Sequence, residues 1–473
     1  MENSQMNSKV KIGLKSFLAV VGILFAVVIL VGILTYVIPA GQYQLDPETG
    51  KIIPNTYQVI DSTTRLPVYR WFTASIEALI FGKNNMNIIQ IIALLLILGG
   101  TFKVLDNSGG LVALVRLVVN RFYKHRYVTI WIITLLIMIL SSCFGLQEQL
   151  LILFPVFIML AKAMNWSKVQ AISLILITSG VGFTTALFNH FTVGTATSLA
   201  GVNILDNIWF RLIIFVIMYV ITSLYLVYRA KQDEKKSTEK FDLESFTKIT
   251  EEEYREDKRK ATMITILFSV ALFVLILSNS LPIKGLASLS MIIMGAAFII
   301  GTIIIGRILL GSFKELGKSF VSGMVDVLPS ILIVLIAFSV TYIADRGNIL
   351  HTIFYYFSNL VSETSPYVSV MLLYIFILII EFFIPSASAK ATLIIPLLTL
   401  GNIPGISVGV IILTYLFADG YTNVLFPTCG TLVIGLGLAN VSYLEWFKKT
   451  ILFQVLLMIV SMGFLFIAIA IGI

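Results

Sequence analysis

Long apolar runs separated by short polar groups recur from one end of the chain to the other. Several reach about twenty residues, the length an α-helix needs to cross bilayer hydrocarbon. They predict spans near 17–39, 87–105 and 208–229, then near 262–278, 287–306, 328–344 and 451–471. Other runs are shorter. Residues 127–142 and 148–162 are joined by "CFGLQE", and two more arms flank "IPSASAK". Two full crossings would leave the same flanking charges, but the shortness of the arms favours re-entrant hairpins, over 127–163 and 367–400. Runs over 168–201 and 407–438 are interrupted by "SGVGFTTALFNHFTVG" and "ADGYTN", which predicts two broken transmembrane helices.

Two segments, "KVLDNSGGLVALVRLVVNRFYKHR" and "DRGNILHTIFYYFSNLVSE", carry an apolar stripe on an otherwise polar helix and are expected at the membrane surface. Between Arg229 and Lys260 stand ten basic and ten acidic residues, which read as a solvated cytoplasmic linker over 230–260. It divides the chain into 1–229 and 261–473. Setting "CFGLQEQLLILFPVF" beside "IPSASAKATLIIPLL" places Pro155 on Pro396; further on, "ILITSG" meets "YLFADG" and "NIWFR" meets "YLEWFK". The extra span at 262–278 gives the second half the opposite starting side. The expected fold is therefore an all-α polytopic membrane protein with two inverted repeats, each holding a hairpin and a broken helix, plus a scaffold region. That architecture belongs to secondary transporters.

Composition narrows the alternatives. Of 473 residues, 58% are hydrophobic and 12% charged, and the net charge of +8 gathers between spans, where cytoplasmic loops collect Lys and Arg. A nucleic-acid partner is not needed. Lys9, Lys11 and Lys15 put the N-terminus in the cytoplasm, and the first run is longer than the apolar part of a signal peptide, so it reads as a retained anchor. Two distant cysteines, Cys143 and Cys429, argue against a disulfide framework, and three scattered histidines against a metal cluster. No HExxH, Walker A or G-x-S-x-G element occurs. An embedded enzyme is poorly supported, and a channel suits paired hairpins less well than alternating access does.

Each interruption exposes backbone and polar side chains at membrane depth, so each is a candidate binding element. The first tip offers Ser142, Gln147, Glu148 and Gln149; the first break offers Ser179, Thr184, Asn189, His190 and Thr192. In the second half the tip offers Ser386, Ser388 and Lys390, and the break offers Asp419, Thr422, Asn423 and Thr428. Charges there require partners, water or a function. On the bland reading Glu148, Lys390 and Asp419 pair with one another, Glu381 neutralises Lys390, and the hydroxyls bond back to their own helices. On the functional reading Lys390 meets a substrate carboxylate while Asp419 and Glu148 meet a cation, a proton or an amino group. A sodium ion near Asp419, Asn423 and Ser386 is one version; no other cofactor is expected.

These stretches resemble a known family. "FFIPSASAKATLIIPLL", "ADGYTNVLFPTCGTLVIGLGLANVSYLEWFK" and "GVGFTTALFNHFTVGTATSLAG" are similar to the DcuC-like anaerobic C4-dicarboxylate carriers, and more closely to their YfcC-type branch, regarded as basic amino-acid antiporters. The resemblance implies the ion-transporter superfamily fold, a homodimer in the bacterial cytoplasmic membrane, and a small amino-acid or carboxylate substrate. It marks Glu148, Asn189, Ser386, Ser388, Asp419, Asn423 and Thr428. Two positions depart from the branch: His190 replaces a proline, and Gln149 follows Glu148 where a second acid is common.

Overall fold

The computed structural model describes residues 14–44, 53, 56–61, 65–82, 85–236, 241–242, 246–280, 289–361, 364–400 and 405–473. Lys9 and Lys11, and the turn at 45–51, lie outside them. Helices dominate. The first half runs α1 (Leu14–Val37), a two-stranded antiparallel ribbon of β1 (Gly41–Gln42) and β2 (Gln58–Val59), α2 (Val68–Trp71), α3 (Ala74–Phe81), α4 (Asn85–Asn107) and α5 (Gly110–Phe122). It continues through α6 (Arg126–Phe144), α7 (Phe154–Ala163), α8 (Lys168–Thr184), α9 (Thr195–Ala200) and α10 (Ile208–Lys236).

The second half opens with α11 (Glu251–Ser280) and α12 (Ser290–Leu310), then α13 (Phe313–Asp326), α14 (Leu328–Arg346) and α15 (Ile349–Val361). It closes with α16 (Pro366–Phe383), α17 (Ala387–Leu400), α18 (Val408–Thr422), α19 (Gly430–Ala439) and α20 (Tyr443–Ala470). Among the described residues nine helical stretches are long and apolar enough to cross a membrane. The protein is a polytopic helical membrane protein.

Helix contacts fall into matched sets. α1 packs on α14 and α12 on α4; α3 packs on α14 and α13 on α4. α6 lies against α8 as α16 lies against α18, and α7 meets α19 as α17 meets α9. The local signals match too: Ser167 caps α8 by accepting from Gln170 N at 3.2 Å, and Ser407 caps α18 by accepting from Val410 N at 3.1 Å. One landmark pair differs. Pro155 starts α7 after a 3₁₀ segment, Glu148–Leu153, whereas Pro396 lies inside α17.

The charged segment 230–260 is less of a free linker than its composition predicts. α10 extends into it as far as Lys236, and α11 begins at Glu251. Glu234 accepts from Arg126 Nε at 2.8 Å, Trp166 Nε1 at 2.9 Å and Tyr127 OH at 2.7 Å, and Asp233 accepts from Ser167 Oγ at 2.6 Å. Arg116 on α5 pairs with Asp257 at 2.5 Å. Charges that look solvated in sequence are thus bound to partners 66 to 141 residues away.

Candidate functional site

The first interruption falls within "SGVGFTTALFNHFTVG", while the second begins at the last residue of "ADGYTN" and runs on past it. Ser179 and Thr184 belong to α8, and Asp419 and Thr422 belong to α18, all buried. Their hydroxyls bond back within the helix: Ser179 to Leu176 O at 3.1 Å, Thr184 to Gly180 O at 3.0 Å, Thr422 to Ala418 O at 2.7 Å. Gly180 and Gly420 allow α8 and α18 to cross with backbones in contact; a Cβ on Gly180 would stand 2.9 Å from Gly420 O. The helical chain stops only at Thr185 and Asn423, and the gaps run through Thr185–Asn189 and Asn423–Cys429.

Freed backbone in the first gap is satisfied from two directions. Ser142 O accepts from the N–H groups of Leu187, Phe188 and Asn189 at 3.0, 3.1 and 3.0 Å, while Ser142 Oγ donates to Thr185 O at 2.7 Å. Buried Arg211, on α10, donates to Ala186 O at 3.3 Å and Leu187 O at 3.2 Å. In the second gap α20 plays the corresponding part: Trp446 Nε1 donates to Val424 O at 2.9 Å and Tyr443 OH to Leu425 O at 2.9 Å. Orphan carbonyls at membrane depth would otherwise cost several kcal/mol each, ~2 to 7 on transfer scales. Ser142 therefore works as a backbone clamp, and Arg211, Trp446 and Tyr443 are structural residues the sequence reading did not single out.

Lys390 does not face open space. It sits in the first turn of α17, fully buried, with Nζ 2.6 Å from Asp419 Oδ1 and in contact with the Glu381 carboxylate. The Tyr415 ring lies 5.6 Å from the ammonium, and its hydroxyl donates to Ala387 O at 2.7 Å, fixing the start of α17. One cation answers two acids. Asn423 Nδ2 stands 3.5 Å from Asp419 Oδ2. Asp419 thus has a cationic partner, and Ser386 lines the cavity described next, which Asp419 does not.

That cavity, about 540 Å³, is where the elements converge. Gln147, Glu148 and Gln149 reach it from the first tip, Ser386 and Ser388 from the second, and Asn423 from the second gap. The π-helical turn that follows the first gap adds Phe191, whose carbonyl accepts from Ser388 Oγ at 3.2 Å. Glu148 is the only charged side chain lining it among the described residues, and no described residue forms a hydrogen bond or ion pair with its carboxylate. The Gln147 amide nitrogen is buried without a protein partner. Sequence reasoning missed Gln90, in the apolar run "NIIQIIALLLIL" of α4, and Thr431 in the first turn of α19.

The remaining predicted residues stand outside the lining. Asn189 caps the π-helical turn His190–Gly194 through Phe191 N at 2.9 Å, leaving its Nδ2 without a protein partner. His190 stacks on Phe191, with ring centroids 4.3 Å apart. The buried hydroxyls of Thr192 and Thr428 have no protein partner.

The loops after α6 and α16 and the start of α19 meet around one partly polar cavity inside a polytopic helical protein, an arrangement suited to a membrane transporter. The chain belongs to the DcuC family, the C4-dicarboxylate anaerobic carriers, whose family model matches residues 17–470. A relative from Escherichia coli K12, named "Putative basic amino acid antiporter YfcC", is 25% identical, with 90% of this chain and 91% of the relative covered. Two solved structures are also similar. The Alcanivorax borkumensis YdaH transporter is 16% identical at a TM-score of 0.43, covering 97% of this chain and 99% of its own. Neisseria gonorrhoeae MtrF, described within a class of antimetabolite efflux pumps, is 15% identical at 0.44, covering 94% of each chain.

Proposed function

We propose that this protein is a secondary active transporter of the bacterial cytoplasmic membrane that exchanges a small amino acid, basic in character, by alternating access. The observation that carries the substrate class is the charge of the cavity, where Glu148 is lined up with amides, hydroxyls and apolar walls but with no lysine or arginine among the described residues. An ammonium or guanidinium group answers Glu148. The substrate carboxylate goes to the N-terminal ends of α17 and α19, where Ser386, Ser388 and Thr431 line the cavity and helix dipoles favour negative charge. A C4-dicarboxylate would bring two negative charges to a site that already holds one acid and commits Lys390 elsewhere. The matched helix contacts support two inverted repeats that alternate access between faces. Coupling by a proton or sodium ion would also fall to Glu148, since Asp419 is matched by Lys390.

The test is exchange of labelled L-arginine for ornithine in proteoliposomes, with malate and fumarate as competitors. Glu148→Gln should raise the KM for arginine about ten- to a hundredfold, the worth of one charge-assisted hydrogen bond, in a protein that still elutes as a folded species. Competition by dicarboxylates without arginine transport, or an unchanged KM in Glu148→Gln, would overturn the assignment.

A further inference from the structure

The cavity that Glu148 lines has a polar part and an apolar part. Ile91, Leu94, Leu95 and Leu98 recur at the i, i+3, i+4, i+7 spacing that puts four side chains on one face of α4, and all four line the cavity. The opposite face of α4 is the one held against α13, where a Cβ on Gly100 would stand 2.6 Å from the Phe320 ring. Phe338 on α14 and Ile434 on α19 extend the apolar part. Gln147, Glu148, Asn423 and Thr431 belong to the polar part.

A free basic amino acid takes up about 200 Å³ and a dipeptide of one basic and one aliphatic residue about 350 Å³, on the scale that gives a water about 30 Å³. The cavity holds about 540 Å³. The charged groups of a free amino acid engage the polar part alone, and the α4 stripe then stays against water, which is unfavourable in proportion to the apolar area left wet. An aliphatic side chain joined through an amide covers that stripe. The amide meets a second need: Gln147 Nε2 is a buried donor without a protein partner, and a peptide carbonyl is an uncharged acceptor for it beside the acid.

We infer that the cavity takes, in preference to a free amino acid, a dipeptide that joins a basic residue to an aliphatic one, with the aliphatic side chain on the α4 stripe. This rests on the transport reading above for the role of Glu148. The cation of the dipeptide answers Glu148, its peptide carbonyl accepts from Gln147 Nε2, and its carboxylate goes to the helix N-termini already named. Such a dipeptide has the same net charge as the free basic amino acid, so the added selectivity comes from apolar contact, set by Leu94 and Ile434 among others. A lipid acyl chain matches the stripe but brings neither a cation for Glu148 nor a carbonyl for Gln147.

Equilibrium dialysis of the purified full-length protein measures Kd for labelled arginine, arginyl-glycine and arginyl-leucine. Arginyl-leucine should bind about ten- to a hundredfold more tightly than arginyl-glycine, the worth of burying a leucine side chain, and should be exchanged intact across proteoliposomes. Leu94→Phe and Ile434→Phe fill the apolar part from two different helices, and each should lower that ratio about threefold or more. Two variants on separate elements keep the test decisive where one of them fails to fold. Equal binding of the two dipeptides, as when an acyl chain already occupies the stripe, or a ratio unmoved in the folded variants, overturns the inference. Arginine exchange without a gain from the leucine sinks this inference alone and leaves the transport reading standing. Leucine-dependent binding and exchange of arginyl-leucine, with no exchange of arginine, sinks the free amino-acid reading alone.

Discussion

Removing the ammonium of Lys390 should expose what the triad is for. In the wild-type protein one buried cation is enclosed by Asp419 at 2.6 Å and by Glu381, and all three side chains are at most 1% exposed. Lys390→Met keeps the length of the side chain and strips its charge, leaving two carboxyl groups that must take up a proton or stay ionised in an apolar interior. Breaking a buried pair from one side costs about 3–5 kcal/mol, so the substitution should destabilise by that amount. Asp419→Asn added to it removes one of the stranded acids and should recover much of the loss, with a coupling energy of about 1–3 kcal/mol. Glu381→Gln alone leaves a one-to-one pair and should cost about 1 kcal/mol or less. Equilibrium unfolding in mixed micelles, across the wild type, the single variants and the double variant, measures each corner of the cycle. The rescued double variant should also keep the wild-type KM for arginine. Purely additive effects would show that the ammonium and the carboxylate do not interact; a large KM change in a stable double variant would return Lys390 to the substrate.

Two further outcomes follow from the packing. Gly420→Ala puts a methyl group into Thr184 and the Gly180 carbonyl where α8 and α18 touch, and should cost about 1–3 kcal/mol in the same unfolding assay, whereas Gly463→Ala, which meets no atom within 4 Å, should be near neutral. Equal effects at the two positions would remove the case for a backbone-to-backbone crossing. Outside the spanning helices, the Arg70 guanidinium of α2, hydrogen-bonded to both oxygens of Glu77 on α3, holds that carboxyl below its ordinary value of 4.5. A depressed folded value contributes stability above the unfolded value and loses it as pH falls through the folded one. The difference in thermal midpoint between wild type and Glu77→Gln should therefore be constant near neutral pH and shrink below about pH 4.5; a difference that grows with acid would refute the pairing.

How far the fold can be read from the sequence depends on which signals are local. Apolar length places the helices at 14–37, 85–107 and 290–310 to within a few residues, whereas α11 and α20 begin well before their apolar runs, at Glu251 and Tyr443, because charged turns continue the helix beyond the hydrocarbon. The first gap falls inside its expected stretch and the second runs past it, and several residues offered for the breaks are helical for a physical reason. Serine, threonine and glycine clusters look like interruptions, yet Ser179, Thr184 and Thr422 bond back to their own turns, and Gly180 and Gly420 serve a helix crossing. The true gaps pass through "TALFN" and "NVLFPTC", whose exposed carbonyls are paid for by Arg211, Trp446 and Tyr443 on other helices. No local window can see those partners. The same blindness governs charge. Glu148, Lys390 and Asp419 look alike in sequence as isolated ionisable residues in apolar runs, and only the tertiary fold separates an ion-paired lysine from a cavity-facing acid. The two hairpin tips diverge in charge because one acid faces the cavity while the lysine of the other tip is turned inward to hold α17 against α18. On the proposed function the first of these loops binds through charge, and the second contributes hydroxyls and a helix terminus.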